Sequence, residues 1–170
     1  MSFKGDNFML RLLKRVLCLC LAVLMVCCLF GCSKSEKHTP YSICQKVLPL
    51  CSEEISWTSL SSEQAAAYYG VSSALLQNFA AYISDDDTRY DAVAAFSFKN
   101  EDEKKELADC FAQILTSNKA SVGLVNDKES SKIQNSIIME LDDILILVAV
   151  ENAQDICLEL EALGAKKYMY

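Results

Sequence analysis

The chain contains a single histidine, His38, among 170 residues, with only two prolines and five glycines. Each shortage excludes chemistry. Ser–His–Asp and Cys–His catalysis need an imidazole held beside the nucleophile, and His38 lies in a polar stretch that gives it no such support. Zinc hydrolase sites normally draw on His ligands, and the sequence offers no second one. After residue 31 the only glycines are Gly70, Gly123 and Gly164, too scattered for a phosphate-cradling loop or a dinucleotide fingerprint. Basic residues are also scarce, 16 Lys and Arg against 23 Asp and Glu. A net charge of −7 argues against nucleic acid, whose recognition needs a basic surface. The expectation is a protein that is not an enzyme and needs no cofactor or metal.

What is present is unevenly placed. Of the first 31 residues 22 are apolar, against about 47% of the remainder. Lys4, Arg11, Lys14 and Arg15 precede an unbroken apolar run over residues 16–30. A basic stretch, a short apolar core and a small residue at its end form the layout of a secretory signal. As a helix the run would rise about 22 Å, short of the roughly 30 Å hydrocarbon core, so it does not read as a membrane span.

The end of that run, Leu29-Phe30-Gly31-Cys32, resembles the lipobox of bacterial lipoproteins. The resemblance implies that Leu29, Phe30 and Gly31 are read by a dedicated signal peptidase. It also implies that Cys32 takes a diacylglyceryl group and becomes the new N-terminus. Phe30 departs from the usual small residue. One acyl chain anchors only marginally and stable anchoring needs two signals, which a diacyl unit supplies. Residues 33–40 are polar, lack apolar periodicity and end in Pro40, so they read as a tether spanning at most roughly 28 Å. The expected organisation is a signal peptide over 1–31, a lipidated cysteine and tether over 32–40, one domain over 41–165 and a frayed tail over 166–170. Without residues 1–31 the charge becomes −10. An anionic bilayer repels such a domain, which leaves the lipid to hold it at the membrane.

Of nine cysteines, Cys18, Cys20, Cys27 and Cys28 lie in the signal and Cys32 is taken by lipid. The remaining four, Cys44, Cys51, Cys110 and Cys157, allow three pairings. No CxxC spacing occurs, which removes redox-motif and zinc readings. Cys110 shares a helical face with Leu107, Phe111 and Ile114, and Cys157 lies near Ala153 and Leu160, so both read as small core residues. A Cys44–Cys51 bridge and free burial are both open.

The domain reads as α+β. Residues 41–50 suggest a helix with Tyr41, Cys44, Val47 and Leu48 on one face, stopped by Pro49. Residues 55–57 suggest a short extended piece. Ser61 caps a helix that Gly70 stops. Residues 76–83 and 92–98 flank a polar turn and suggest a hairpin. Asn100 and Glu103 then form a capping box ahead of a helix with Leu107, Phe111, Ile114 and Leu115 as its stripe. The pattern returns in a hairpin over 137–140 and 144–150 and a helix with Ile156, Leu160 and Leu163. A shift of 52 residues sets Val93 on Leu145, Phe96 on Val148 and Asn100 on Asn152. The expectation is a ββα-ββα repeat. It would form a four-stranded antiparallel sheet with both repeat helices on one face, preceded by short N-terminal helices. The run over 144–150 has no polar alternation, so it should be a central strand covered on both faces.

The region from about residue 43 to 163 resembles the family described as domain of unknown function (DUF) 4358, lipoproteins of low-GC Gram-positive bacteria. The resemblance rests on Tyr68-Tyr69-Gly70-Val71, on Tyr90-Asp91-Ala92-Val93-Ala94-Ala95-Phe96, on the capped helix that follows, and on the final strand and helix. It implies an address and a fold but no activity.

Site candidates are few. Glu53-Glu54 and Asp85-Asp86-Asp87 read as solvated turns, since Asp favours turns through local hydrogen bonds, and no EF-hand spacing accompanies them. Trp57, Tyr68, Tyr69, Tyr82 and Tyr90 could share a surface, with Trp57 and Tyr69 the candidates for binding, or pack into the core. The leading expectation is a lipid-anchored module on the extracytoplasmic face of the cell membrane that binds an envelope protein. The alternatives are an enzyme with paired carboxylates acting on envelope glycans, or an accessory binder of small solutes.

Overall fold

A computed structural model describes residues 37–52, 54–122 and 127–168, with the side chains of 119–122 left aside. The described residues from His38 onward form one compact unit. Helix α1 spans Pro40–Val47 and continues into a 3₁₀ turn over Leu48–Leu50. Thr39 caps α1 reciprocally with Ser42, and Pro40 occupies the first turn, where its missing N–H costs nothing. Strand β1 covers Trp57–Ser59. Helix α2 covers Ser62–Tyr69, capped by Ser61 and Gln64 and ended by Gly70 at φ 67°, a left-handed conformation that glycine adopts without strain. Strands β2 (Phe79–Ser84) and β3 (Ala92–Ser97) form the first hairpin. Helix α3 (Glu101–Val122) and the short α4 (Asp127–Gln134) follow. Strands β4 (Ile137–Leu141) and β5 (Ile144–Ala149) form the second hairpin. Helix α5 (Ala153–Ala162) and strand β6 (Lys166–Lys167) complete the unit.

The sheet is antiparallel and six-stranded, in the order β1-β2-β3-β5-β4-β6. This corrects the four-stranded expectation. The two hairpins do join through β3 and β5, with Val93 opposite Val148 and Phe96 opposite Leu145. Each outer hairpin strand, however, exposes a row of unpaired N–H and C=O groups. The β1 segment fills one edge, pairing Trp57 with Ser84 and Ser59 with Tyr82. At the other edge Lys166 and Lys167 pair with Glu140 and Met139, and the Tyr168 N–H donates to the Ile138 carbonyl at 2.8 Å. The segment read as a frayed tail is therefore part of the sheet up to Lys167.

The placement of helices corrects the repeat as well. Strand pleating sends alternate side chains to opposite faces. One face carries Ala92, Ala94 and Phe96 of β3 with Leu145, Leu147 and Ala149 of β5. These pack with Ala65 and Tyr69 of α2, Leu107 and Phe111 of α3 and Ile133 of α4. The other face carries Val93 and Ala95 with Ile144, Ile146 and Val148. It is covered by Ile43, Cys44 and Val47 of α1 and by Ile156, Cys157 and Leu160 of α5. The helices that follow the two hairpins thus lie on opposite faces, giving three layers. The 52-residue shift puts Val93 on Leu145, but these side chains point to opposite sides of the sheet, so the two units are not structural copies. Strand β5 is buried along its whole length, as its continuous apolar run demands. Asn152 does not cap α5 through its side chain. Its Nδ2 instead donates to the Leu50 carbonyl at 2.8 Å, tying α5 to the turn after α1.

Candidate functional site

Leu29, Phe30, Gly31 and Cys32 lie outside the described residues, as does Glu53. The aromatic candidates fall on both sides of the sheet. Trp57 is half-buried on the edge strand and packs with Tyr82 against the α1–α5 side. Tyr69 is only 2% exposed and belongs to the α2–α3 side, which corrects its reading as a surface residue. Its ring meets Tyr68, Phe96 and Phe111 at centroid distances of 4.9, 5.5 and 5.6 Å, each edge to face. The reason is helical spacing: Ala65 and Tyr69 stand four residues apart on one face of α2, and both are buried. Tyr68, one residue away, stays partly exposed.

The Tyr69 hydroxyl is buried without a hydrogen-bond partner. Burial raises its pKa well above the ordinary phenol value, reinforced by Tyr68 and then Cys44, so it stays a neutral donor and acceptor. Tyr69 lines a small pocket of about 10 Å³, enclosed by Tyr68, Tyr90, Ile114, Leu115, Asn118 and Ile133 with the sheet residues Ala92, Leu147 and Ala149. The alanines of β3 and β5 are what leave this space, since a larger side chain there would fill it. A groove of about 530 Å³ between α2 and α3 shares Tyr68, Tyr69, Ile114 and Asn118 with the pocket. Its other walls are Ala67, Gly70, Cys110, Gln113 and Ser117. Among the described residues the site presents tyrosine rings, amides and hydroxyls.

A cluster that the sequence did not reveal sits beside it. Lys132 Nζ lies 2.9 Å from Asp91 Oδ1 and 2.8 Å from both carboxylate oxygens of Glu129. Arg89 Nε donates to Asp91 Oδ2 at 2.7 Å, and the Tyr90 N–H donates to Glu129 Oε2 at 3.0 Å. The side chains of Asp91, Lys132 and Glu129 are 0, 2 and 7% exposed. This network fastens α4 to the start of β3. Asp91 and Glu129 are paired carboxylates, but they share one ammonium inside the protein rather than facing each other across a cleft. The signal for it was weak: α4 has one apolar anchor, Ile133, in a run of polar residues.

The acidic turn behaves as a turn. Asp86 Oδ1 accepts from the Thr88 N–H at 2.9 Å and from its hydroxyl at 2.6 Å, and Thr88 lowers the pKa of Asp86. Asp85 accepts from the Thr58 hydroxyl. Among the described residues no group of three or more His, Cys, Asp or Glu is placed to hold a metal.

Cys44, Cys51, Cys110 and Cys157 are all free thiols, so the Cys44–Cys51 bridge is not formed. Cys44 Sγ donates to the Ala80 carbonyl at 3.6 Å and Cys51 Sγ to the Val47 carbonyl at 3.4 Å. Burial pushes the pKa of both up to about 12, helped at Cys44 by Cys51 and at Cys51 by Asp91. The thiolate is the reactive form. At pH 8 each native thiol should hold about a thousandfold less thiolate than an ordinary one, a reading of the shift from 9.0 to about 12. Thiol labelling followed by peptide mass analysis should mark Cys44 and Cys51 only at the rate of global unfolding. Prompt labelling of either in the native protein would contradict this burial.

The described residues from His38 onward thus form a three-layer α+β domain with a groove on one side of its sheet. The family model described as Domain of unknown function (DUF4358) matches residues 52–150. That is more than half of the chain, and the protein belongs to this family. The match takes in β1 to β5, the residues of the groove and the buried Arg89–Asp91–Lys132–Glu129 network. Comparison with curated proteins and with solved structures finds no match.

Proposed function

We propose that this protein is a lipoprotein held on the extracytoplasmic face of the cell membrane through Cys32, with a folded domain that binds a component of the envelope. The observation that carries the binding role is the α2–α3 groove of about 530 Å³, walled among the described residues by tyrosine rings, amides and hydroxyls. The anchoring role is supported by the sequence of residues 1–40: a basic start, a short apolar core, Leu29-Phe30-Gly31-Cys32 and a polar tether. Among the described residues no helix is long and apolar enough to cross a membrane.

Intact-mass analysis of the protein isolated from membranes tests the anchor. The expected product lacks residues 1–31 and carries a diacylglyceryl group, while Cys32→Ala keeps residues 1–31 and gains no lipid. Unmodified protein that retains residues 1–31 in the wild type would overturn the lipoprotein reading. Gln113→Arg puts a cation and a long side chain on the groove wall, where Gln113 is exposed. Cross-linked envelope components recovered with the wild type should be lost with this variant.

A further inference from the structure

Resting on the lipid anchor proposed above, we propose that the layer formed by α1 and α5 is the face that meets the bilayer, with Tyr41, Leu50, Leu158 and Leu163 entering the lipid interface.

Among the described residues, the large apolar side chains left exposed are Tyr41, Leu50, Leu158 and Leu163, at 61, 43, 65 and 38%. All four belong to one layer. Tyr41 is on α1, Leu50 in the 3₁₀ turn after it, Leu158 on α5 and Leu163 at the C-cap of α5. Single exposed apolar residues are ordinary, but a group of them on one face marks a surface that something covers. Leu50 and Leu163 line a groove of about 440 Å³ between α1 and α5, together with the buried Val47 and Leu160. Tyr41 stands one helical turn before Gln45, and Leu158 one turn before Ala162, both residues of the groove wall. Residues four apart share a helical face, so the four side chains extend one apolar surface.

The position of the anchor commits this face to the bilayer. Pro40 opens α1 eight positions after Cys32, and that stretch spans at most roughly 28 Å. With the α1–α5 layer toward the lipid the tether can stay slack. With α2 and α3 toward it, the sheet and a helical layer, about 20 Å together, would separate α1 from the surface. The tether would then run near full extension, at a cost in chain entropy. Among the described residues the groove carries one cation and one anion, Lys46 and Glu159, so apolar contact rather than attraction to anionic headgroups holds the face down. Lys46 can lay its stem along the apolar wall and extend its ammonium to the headgroups, and a tyrosine ring suits the interface. The α2–α3 groove, on the opposite face of the sheet, then opens away from the lipid.

The test uses the protein isolated from membranes with its lipid and reconstituted in phosphatidylcholine vesicles, a fraction of whose lipid bears a diazirine on one acyl chain. After irradiation, peptide mass analysis should find adducts concentrated in residues 40–50 and 153–163 and sparse at 67–70 and 110–118 of the α2–α3 groove. Leu158→Glu, at the most exposed of the four positions and so the least able to disturb the fold, should strip adducts from 153–163 with the protein still on the vesicles. High salt should leave the pattern unchanged, because it screens charges and not apolar contact. Equal labelling of the two sides, or a pattern that salt erases, would overturn the proposal while the anchor stands. So would unlabelled 40–50 and 153–163 in a dimer that Leu158→Glu dissociates, which would give the face to a second copy. Protein whose Cys32 carries no lipid would overturn the anchor and this orientation together.

Discussion

Lys132→Met is expected to lower the unfolding free energy by about 3–5 kcal/mol, the scale for removing one partner of a buried ion pair. Lys132 Nζ is the only ammonium within 3 Å of both Asp91 and Glu129 among the contacts described, and its side chain is 2% exposed. Methionine fills similar volume but leaves two carboxylates inside the protein without their shared ammonium, Asp91 still held by Arg89 and Glu129 by the Tyr90 N–H. Urea denaturation should show a lower midpoint with an unchanged slope. Lys128→Met is the matched comparison. Lys128 pairs with Glu151 at 3.2 Å, but these side chains are 69 and 62% exposed, and exposed pairs contribute only about 0–1 kcal/mol. If the two variants lost equal stability, the network would not be the fastening that holds α4 to the sheet.

Phe96→Ala should cost about 3–5 kcal/mol, as removal of a buried phenylalanine does elsewhere. Phe96 is fully buried near the C-terminal end of β3. Its ring stacks on Phe79 at 5.5 Å and meets Tyr69 and Phe111 edge to face at 5.5 and 5.4 Å. Those partners come from β2, α2 and α3, so one deletion loosens three elements at once. Phe96→Leu, which keeps most of the volume, should lose clearly less. A double-mutant cycle between Phe96 and Phe111 should return a coupling of about 0.5–1.5 kcal/mol, the range for aromatic pairs. A loss below about 1 kcal/mol for Phe96→Ala would place the ring outside the well-packed core. The same variant bears on the groove, because Phe96 supports the ring of Tyr69 from beneath.

Local signals were the legible part of this sequence. Ser61 with Gln64 caps α2 and Gly70 ends it. Asn100 accepts from the Glu103 N–H at 2.9 Å, and Glu103 reaches back to the Lys99 N–H at 2.8 Å, one residue earlier than the usual box. Both hairpins follow their apolar runs. What stayed hidden depends on distant partners. The run Ile144-Leu145-Ile146-Leu147-Val148 has no polar member to mark which side chains face which layer, so hydropathy could not place the helices on opposite faces. Lys166-Lys167 forms a strand only because β4 offers it an edge. Lys132 is buried because Asp91 and Glu129 neutralise it, and a hydropathy pattern reads it as exposed. In the candidate site, the Tyr68-Tyr69 pair was visible, but which ring turned inward was not. The spacing of Ala65 and Tyr69 was the available clue.

The way the sheet ends also governs how copies of the chain tolerate one another. On one side the outermost strand is three residues long, and on the other it is a pair of lysines. A second copy seeking to extend the sheet would find almost no ladder to join at β1 and would meet charge repulsion at β6. The fold therefore resists edge-to-edge polymerisation, a property that the anchoring proposed above would put to use by holding copies at high local density.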